Sequence, residues 1–414
     1  MSWAPMKTIE EIKCQKKHRK TEESMKISER LETILKAAVE NREAAGISVL
    51  VRKNGRDAAY AAYGYADIEG GKSVERDTIF RLYSQSKPIT AAAVMILCER
   101  GIIDLMDPVE KFLPGFHEQK VCESGRLAPV ERPVNIRDLL GMTAGLCYPD
   151  ADIAGQYAAR VFDENQRMMD AGEAGWDTVE FCDHLGRQPL AFQPGAHFRY
   201  STCADVLGAV VEVASGRKFS AFLREELFEP LGMKDTAFWV PEEKRARFAR
   251  CYVRGAEGLT EWKGRNLCCG DYSRQPAFES GGAGLVSTLD DYARFADMLL
   301  GEGETGGKRI LSPESVRFLT SPQLMPTPQK DMWDSLWGCG YGKLMRVMLD
   351  PGRFAGFART GEYGWDGWLG SYFANFPEEK MTFLMMENTT DTGTAAVTRK
   401  LRNAVLAAES MGEI

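Results

Sequence analysis

With 414 residues, of which 44% are hydrophobic and 27% charged, the chain can bury a large core and has the balance of a soluble globular protein, which excludes a disordered tract and a small stapled scaffold. No apolar run approaches the ~20 residues that a bilayer span needs. A net charge of −7 argues against a phosphate-backbone partner, so no nucleic acid is expected.

In chain order, the first 25 residues carry charges throughout and lack the apolar stretch of a secretory signal, so a cytoplasmic address is expected. They read as an N-terminal extension whose basic cluster, Lys13 to Lys20, is a solvated terminus. Ile27, Leu31, Ile34, Leu35 and Ala38 recur at helical spacing and predict a helix over residues 26–41. ISVLVRK and AAYAAYGYA follow, joined through Asn54-Gly55, a pair suited to a tight hairpin. Helical signals then dominate: 88–100, 135–140, 161–171, 178–185, 203–214, 221–226, 289–300 and 313–319. Stretches 254–276, 301–308 and 322–334 read as surface loops. Near the end SYFANF and MTFLMMEN flank PEEK as a second hairpin, and residues 395–408 are again helical.

Helix and hairpin at the start are thus mirrored at the finish. The economical architecture is α+β: one antiparallel sheet built from both chain ends and flanked by helices, with an inserted all-helical domain. The expected division is 26–100 with 275–414 for the sheet domain and 101–274 for the helical one. Within the latter, residues 147–188 hold Tyr148, Tyr157, Phe162, Met168, Met169 and Trp176 and form either a lid or an ordinary helical cap.

The ten cysteines show no C-x-x-C and no regular spacing, so they read as reduced thiols. The four histidines lack metal-ligand spacing, and neither a metal nor a cofactor is expected. The chemistry is sought instead in RLYSQSKPIT, where Ser84 stands three residues before Lys87 and Pro88 opens an apolar helix. A serine hydroxyl needs a base within reach, and a lysine serves if burial lowers its pKa. A first-turn position adds free N–H groups and the positive end of the helix dipole. About one S-x-x-K arises by chance in a chain of this length. Ser215 to Lys218 has the same spacing, but at a helix end with glycine inside, and lacks that context.

FRLYSQSKPITAAAVMILCERG, PGAHFRYSTCADVLGAVVEVASG and GGAGLVSTLDDYARFADMLL resemble, in order and spacing, the motif regions of the serine β-lactamase, penicillin-binding protein and family VIII carboxylesterase superfamily, most of all its class C and esterase branch. The likeness spans roughly residues 26 to 408 and implies the β-lactamase/transpeptidase-like fold. It implies Ser84 as acyl-accepting nucleophile, Lys87 as its partner and Tyr200 as the catalytic tyrosine. A phenol titrates near pH 10, so Tyr200 would act as a base only if cations such as Lys87 stabilise its phenolate. Thr202 stands where the family commonly has asparagine, and its hydroxyl cannot offer both amide functions.

For the third motif two registers are open, Arg359-Thr360-Gly361 and Trp365-Asp366-Gly367. The second resembles the W-G-G form of the esterase branch and is preferred. The backbone N–H groups of Ser84 and Trp368 would then form the oxyanion hole, with Tyr83, Thr202, Cys203, Trp365, Asp366 and Gly367 at the substrate. Without a lysine in this motif, neutral esters are favoured over β-lactams; in the other register Arg359 would restore the cation. The implied function is a serine carboxylesterase acting on a small-molecule ester or acyl substrate. Acyl transfer to an alcohol, a β-lactamase or D-amino-acid peptidase, and a once-acylated sensor are the alternatives.

Overall fold

The computed structural model describes residues 26–123, 125–270 and 272–414. The N-terminal extension with its basic cluster, and Cys14, lie outside the described residues. Helix α1 (Ile27–Glu40) leads into strands β1 (Gly46–Lys53) and β2 (Arg56–Asp67), and the turn between them places Asn54 and Gly55 at φ 52° and 72°. A short β3 (Lys72–Ser73) follows. Near the other end come β4 (Cys339–Tyr341), β5 (Arg346–Met348), β6 (Tyr363–Asp366), β7 (Tyr372–Phe376) and β8 (Met381–Glu387). They form one antiparallel sheet of eight strands in the order β4-β5-β6-β7-β8-β1-β2-β3. The two chain ends meet at its centre, where Ile47 pairs with Glu387 and Lys53 with Met381.

Alternation along these strands buries both faces. Val49 and Val51 on β1, Tyr372, Ala374 and Phe376 on β7, and Phe383 and Met385 on β8 point to one face. Helix α1 and a C-terminal helix spanning Ala396–Ser410 cover it with Leu31, Leu35, Leu401 and Val405. Leu50, Phe373, Leu384 and Met386 point the other way into the main core, against a helix formed by Leu289–Leu300. Asn375, buried on that face, donates to the Ala296 carbonyl at 2.8 Å and so pins this helix to the sheet.

The intervening chain is chiefly helical, with two features the sequence pattern hid. Hairpins pair Lys120–Glu123 with Arg126–Pro129 and Tyr252–Gly255 with Gly258–Glu261. The stretch expected as a surface loop over 254–276 carries most of the second hairpin and sends Cys269 and Tyr272 into a small core with Tyr83 and Val240. Residues 301–308 hold a two-residue ribbon strand, and 322–334 a helical turn at Pro326–Gln329. The nine described cysteines are free thiols. No described helix is long and apolar enough to cross a membrane.

Candidate active site

Ser84 is presented by a strained corner. Strand residues Phe80–Arg81 pair with Val286–Ser287, and Tyr83 then adopts φ 44°, a left-handed conformation that costs energy for a non-glycine residue. A 3₁₀ turn, Tyr83–Ser86, feeds helix α2 (Lys87–Glu99), with Pro88 in its first turn. Every side chain from Lys87 to Leu97 is buried, so this helix start is held on all sides. Tyr292 adds a clamp by donating its hydroxyl to the Gln85 carbonyl at 2.9 Å.

Lys87 has no solvent exposure, and its Nζ donates to Ser84 Oγ at 3.1 Å, to the Tyr148 hydroxyl at 3.1 Å and to the Gly282 carbonyl at 2.8 Å. Three partners match the three protons of an ammonium; in the neutral amine the lone pair can instead receive the Ser84 proton while Gly282 keeps a donor. Burial pulls the amine down to about 8, against the pull of the Asp205 carboxylate, which raises it. Asp205 is itself fully buried, its carboxyl pushed upward by burial and drawn back by Lys87. It accepts from Ser280 Oγ and from the Gly282 N–H at 3.0 Å. The loop around Gly282 therefore ties lysine and aspartate into one network. Glycine is required next door, because a Cβ on Gly281 would lie 2.4 Å from the Ala204 carbonyl oxygen.

Tyr200 reaches the same hydroxyl from the other side. Its oxygen accepts from Trp365 Nε1 at 3.0 Å, and the Lys87 Nζ lies 4.6 Å from the centre of its ring. Burial raises the phenol well above its ordinary value, outweighing the hydrogen bonds of Ser84 and Trp365, which lower it. The condition for a phenolate base is thus not met in the resting site. Lys87 is the group tuned toward the neutral base, and Tyr200 is a neutral phenol able to relay a proton.

These residues open onto a cavity of about 500 Å³, lined among others by Tyr83, Ser84, Tyr148, Tyr200, Trp365 and Trp368. The register Trp365-Asp366-Gly367 ends β6 at the cavity wall, whereas Arg359 is turned away, paired with Glu379 at 2.9 Å. Glycine at 367 is obligatory, since a Cβ there would sit 2.3 Å from the Leu82 carbonyl oxygen. Gly367 donates to the Ser371 carbonyl at 2.7 Å, while the next N–H, that of Trp368, has no backbone acceptor among the described residues. Two sequence-derived candidates do not reach the cavity. Thr202 is buried and donates its hydroxyl to the Cys147 carbonyl at 3.4 Å; Cys203 is buried against Ser201 Oγ at 3.1 Å. The spacing rival Ser215 bonds only to nearby backbone, and Lys218 pairs with Glu212 and Asp177.

Sequence reasoning assigned no role to Asp205, Gly282, Trp333 or the stretch Asp391 to Thr394, the last five of which, Trp333 included, line the cavity. Asp205 looked like an ordinary first-turn acid, and the others come from loops without periodicity. Of the six residues singled out between 147 and 188, only Tyr148 lines the cavity; Phe162 packs edge-on to Phe181 at 5.1 Å and Trp176 stacks on His184 at 3.9 Å. No group of three or more His, Cys, Asp or Glu able to hold a metal occurs among the described residues.

Residues 31–408 match the Beta-lactamase family model. Protein Rv1367c of Mycobacterium tuberculosis is 32% identical over 335 residues, 78% of this chain and 80% of that protein. Esterase EstB of Burkholderia gladioli is 31% identical over 396 residues, 92% of this chain and 95% of its own length. The solved structure of EstCE1, a hydrolase with promiscuous acyltransferase activity, aligns with a TM-score of 0.76 at 26% identity, covering 92% of this chain and 98% of that one.

Proposed function

The chain belongs to the Beta-lactamase family, and from that premise we propose that it is a serine ester hydrolase working through an acyl-enzyme on Ser84. The observation that carries the reading is the buried Lys87 amine, 3.1 Å from Ser84 Oγ and with its pKa drawn down to about 8. Neutral Lys87 takes the Ser84 proton as Oγ attacks the ester carbonyl carbon. The N–H groups of Ser84 and Trp368 receive the oxyanion. As the intermediate collapses, the C–O bond to the alcohol breaks, and the alkoxide takes a proton from Lys87 through Tyr200. Water then attacks the acyl-enzyme with the same groups acting in reverse, releasing the acid and restoring Ser84.

EstB and EstCE1, an esterase and a hydrolase with acyltransferase side activity, support this choice, and the latter also supports alcohol as a second acceptor. The substrate is then a small-molecule ester. Among the described residues no Lys, Arg or His lines the cavity, which speaks against the carboxylate-bearing substrates of a β-lactamase or D-amino-acid peptidase. In the same reading the catalytic groups straddle two units. Residues 26–100 with 275–414 supply Ser84, Lys87 and the Trp365-to-Trp368 edge, and 101–274 supply Tyr148 and Tyr200.

The test is steady-state turnover of p-nitrophenyl esters beside a chromogenic cephalosporin, for the wild type and Ser84→Ala. Repeated ester turnover that vanishes in the variant, with no cephalosporin opening, is expected. A single stoichiometric burst, or ester turnover that survives loss of Ser84, overturns the reading.

A further inference from the structure

The cavity beside Ser84 has an unequal charge. Its lining includes two carboxyl groups, Asp366 and Asp391, and, among the described residues, no cationic side chain. The nearest counter-charge to Asp366 is Arg346 Nη1 at 3.9 Å, but Arg346 is buried behind the strand, 2% exposed, and does not line the cavity. Lys87 is the other cation nearby, and it is committed to Ser84, Tyr148 and Gly282. A charged group entering this space therefore meets negative potential first.

The walls are aromatic on both sides of the nucleophile. On one side Tyr200 lies between Trp333, ring centres 5.1 Å apart, and Trp365, 5.6 Å apart, and Trp333 keeps 44% of its surface exposed. On the other, Trp368 sits 5.0 Å from Tyr83 and 5.1 Å from Trp262. Its Nε1 donates to Asp391 Oδ1 at 2.6 Å. An indole whose N–H is given to a carboxylate gains electron density on its ring, which strengthens its attraction for a cation. A carboxylate set at the edge of a tryptophan, inside a cavity with aromatic rings on both sides of the nucleophile, is the chemistry that holds a quaternary or substituted ammonium.

We infer that the enzyme selects esters carrying an ammonium group near the scissile bond, seated against Trp368 and Asp391, and that it discriminates against esters bearing a carboxylate. This rests on the serine-esterase reading of the same cavity. Asp366 is offset by Arg346 and its carboxyl is pushed upward by burial, so Asp391, which makes the direct ion pair, is the residue that sets the preference. The preference is electrostatic and falls as salt rises.

The experiment compares kcat/KM at low ionic strength for butyrylcholine, its uncharged isostere in which carbon replaces the quaternary nitrogen, and a butyrate ester of the same size ending in a carboxylate. One ion pair in a half-solvated cleft is expected to favour the choline ester over the isostere by about tenfold, with the carboxylate ester the poorest. In Asp391→Asn the ratio of choline ester to isostere falls severalfold toward unity, and Asp391→Glu restores part of it. A wild-type ratio at or below one overturns the inference. So does an equal loss for both esters in Asp391→Asn, which would make Asp391 a structural prop for Trp368. If the isostere is turned over by wild type but not by Ser84→Ala, the esterase reading stands whatever the ratio. If it is not turned over in a Ser84-dependent way, that reading fails and the selectivity falls with it.

Discussion

In the proposed acyl-enzyme reading the amine of Lys87 is the base for Ser84. Lys87 is drawn down to about 8 by burial, and the Asp205 carboxylate opposes that shift. If the neutral amine accepts the Ser84 proton as proposed, kcat/KM is expected to rise with pH through about 8 and then level off. In Asp205→Asn the charge that raises Lys87 is gone, its pKa falls further, and the rising limb should move to lower pH. A pH–rate profile of both proteins checks this; an unmoved or upward-shifted limb would show that another group titrates. Ser84 and Lys87 were legible in the sequence because a three-residue spacing at a helix start places two side chains together by local geometry alone. Tyr200 was legible only through the motif around it. Its protonation was not, because the balance between burial and nearby cations depends on packing that no local pattern carries. Tyr148 reaches Lys87 by tertiary contact from a loop, and Asp205 acts on it through its field and the shared Gly282 loop from a helix; both local sequences look ordinary.

Among the elements, long ones announced themselves and short ones did not. The helix at Leu289–Leu300 and the hairpins at both chain ends have sustained periodicity, and their limits agree with the pattern within a residue or two. Strands β4 and β5 have three residues each and β6 four, too few for an alternation to stand out, and Gly340 and Gly364 interrupt β4 and β6. Yet β6 is the strand that edges the cavity. Its exit at Gly367 is packed so closely against the Ser84 corner that one methyl group decides the geometry. A Cβ there would meet the Leu82 carbonyl at 2.3 Å and the Ser371 hydroxyl at the same distance. Gly367→Ala should therefore push the Trp368 N–H away from the nucleophile. The expected result is a loss of about a hundredfold or more in kcat, in line with removal of an oxyanion donor, with a lowered melting temperature. Unchanged turnover in a folded Gly367→Ala protein would argue against this strand as the oxyanion edge.

At the scale of the whole molecule, the sheet is closed by the chain's two ends, and each end covers the other. Val397, Leu401, Val405 and Leu406 of the C-terminal helix are all nearly or fully buried on the face they share with α1. Burying four such side chains is worth about 6–12 kcal/mol, comparable to the whole stability of an ordinary domain. Truncation after residue 394 is thus expected to abolish cooperative thermal unfolding and leave an insoluble chain, although every residue of the active site is retained. Circular dichroism melts of the truncated protein would check this, and a sharp transition near that of the full chain would refute it.

The central pairing of β1 with β8 joins Ile47 to Glu387, so β1 leaves the ribosome long before the strand that pairs with it. At the usual pace of roughly 5–20 residues per second, the N-terminal hairpin must wait some tens of seconds for that partner. Through that interval the exposed edge of β1, Val49 to Val51, is open to other chains, and chaperone capacity during synthesis rather than the stability of the finished enzyme should limit its yield.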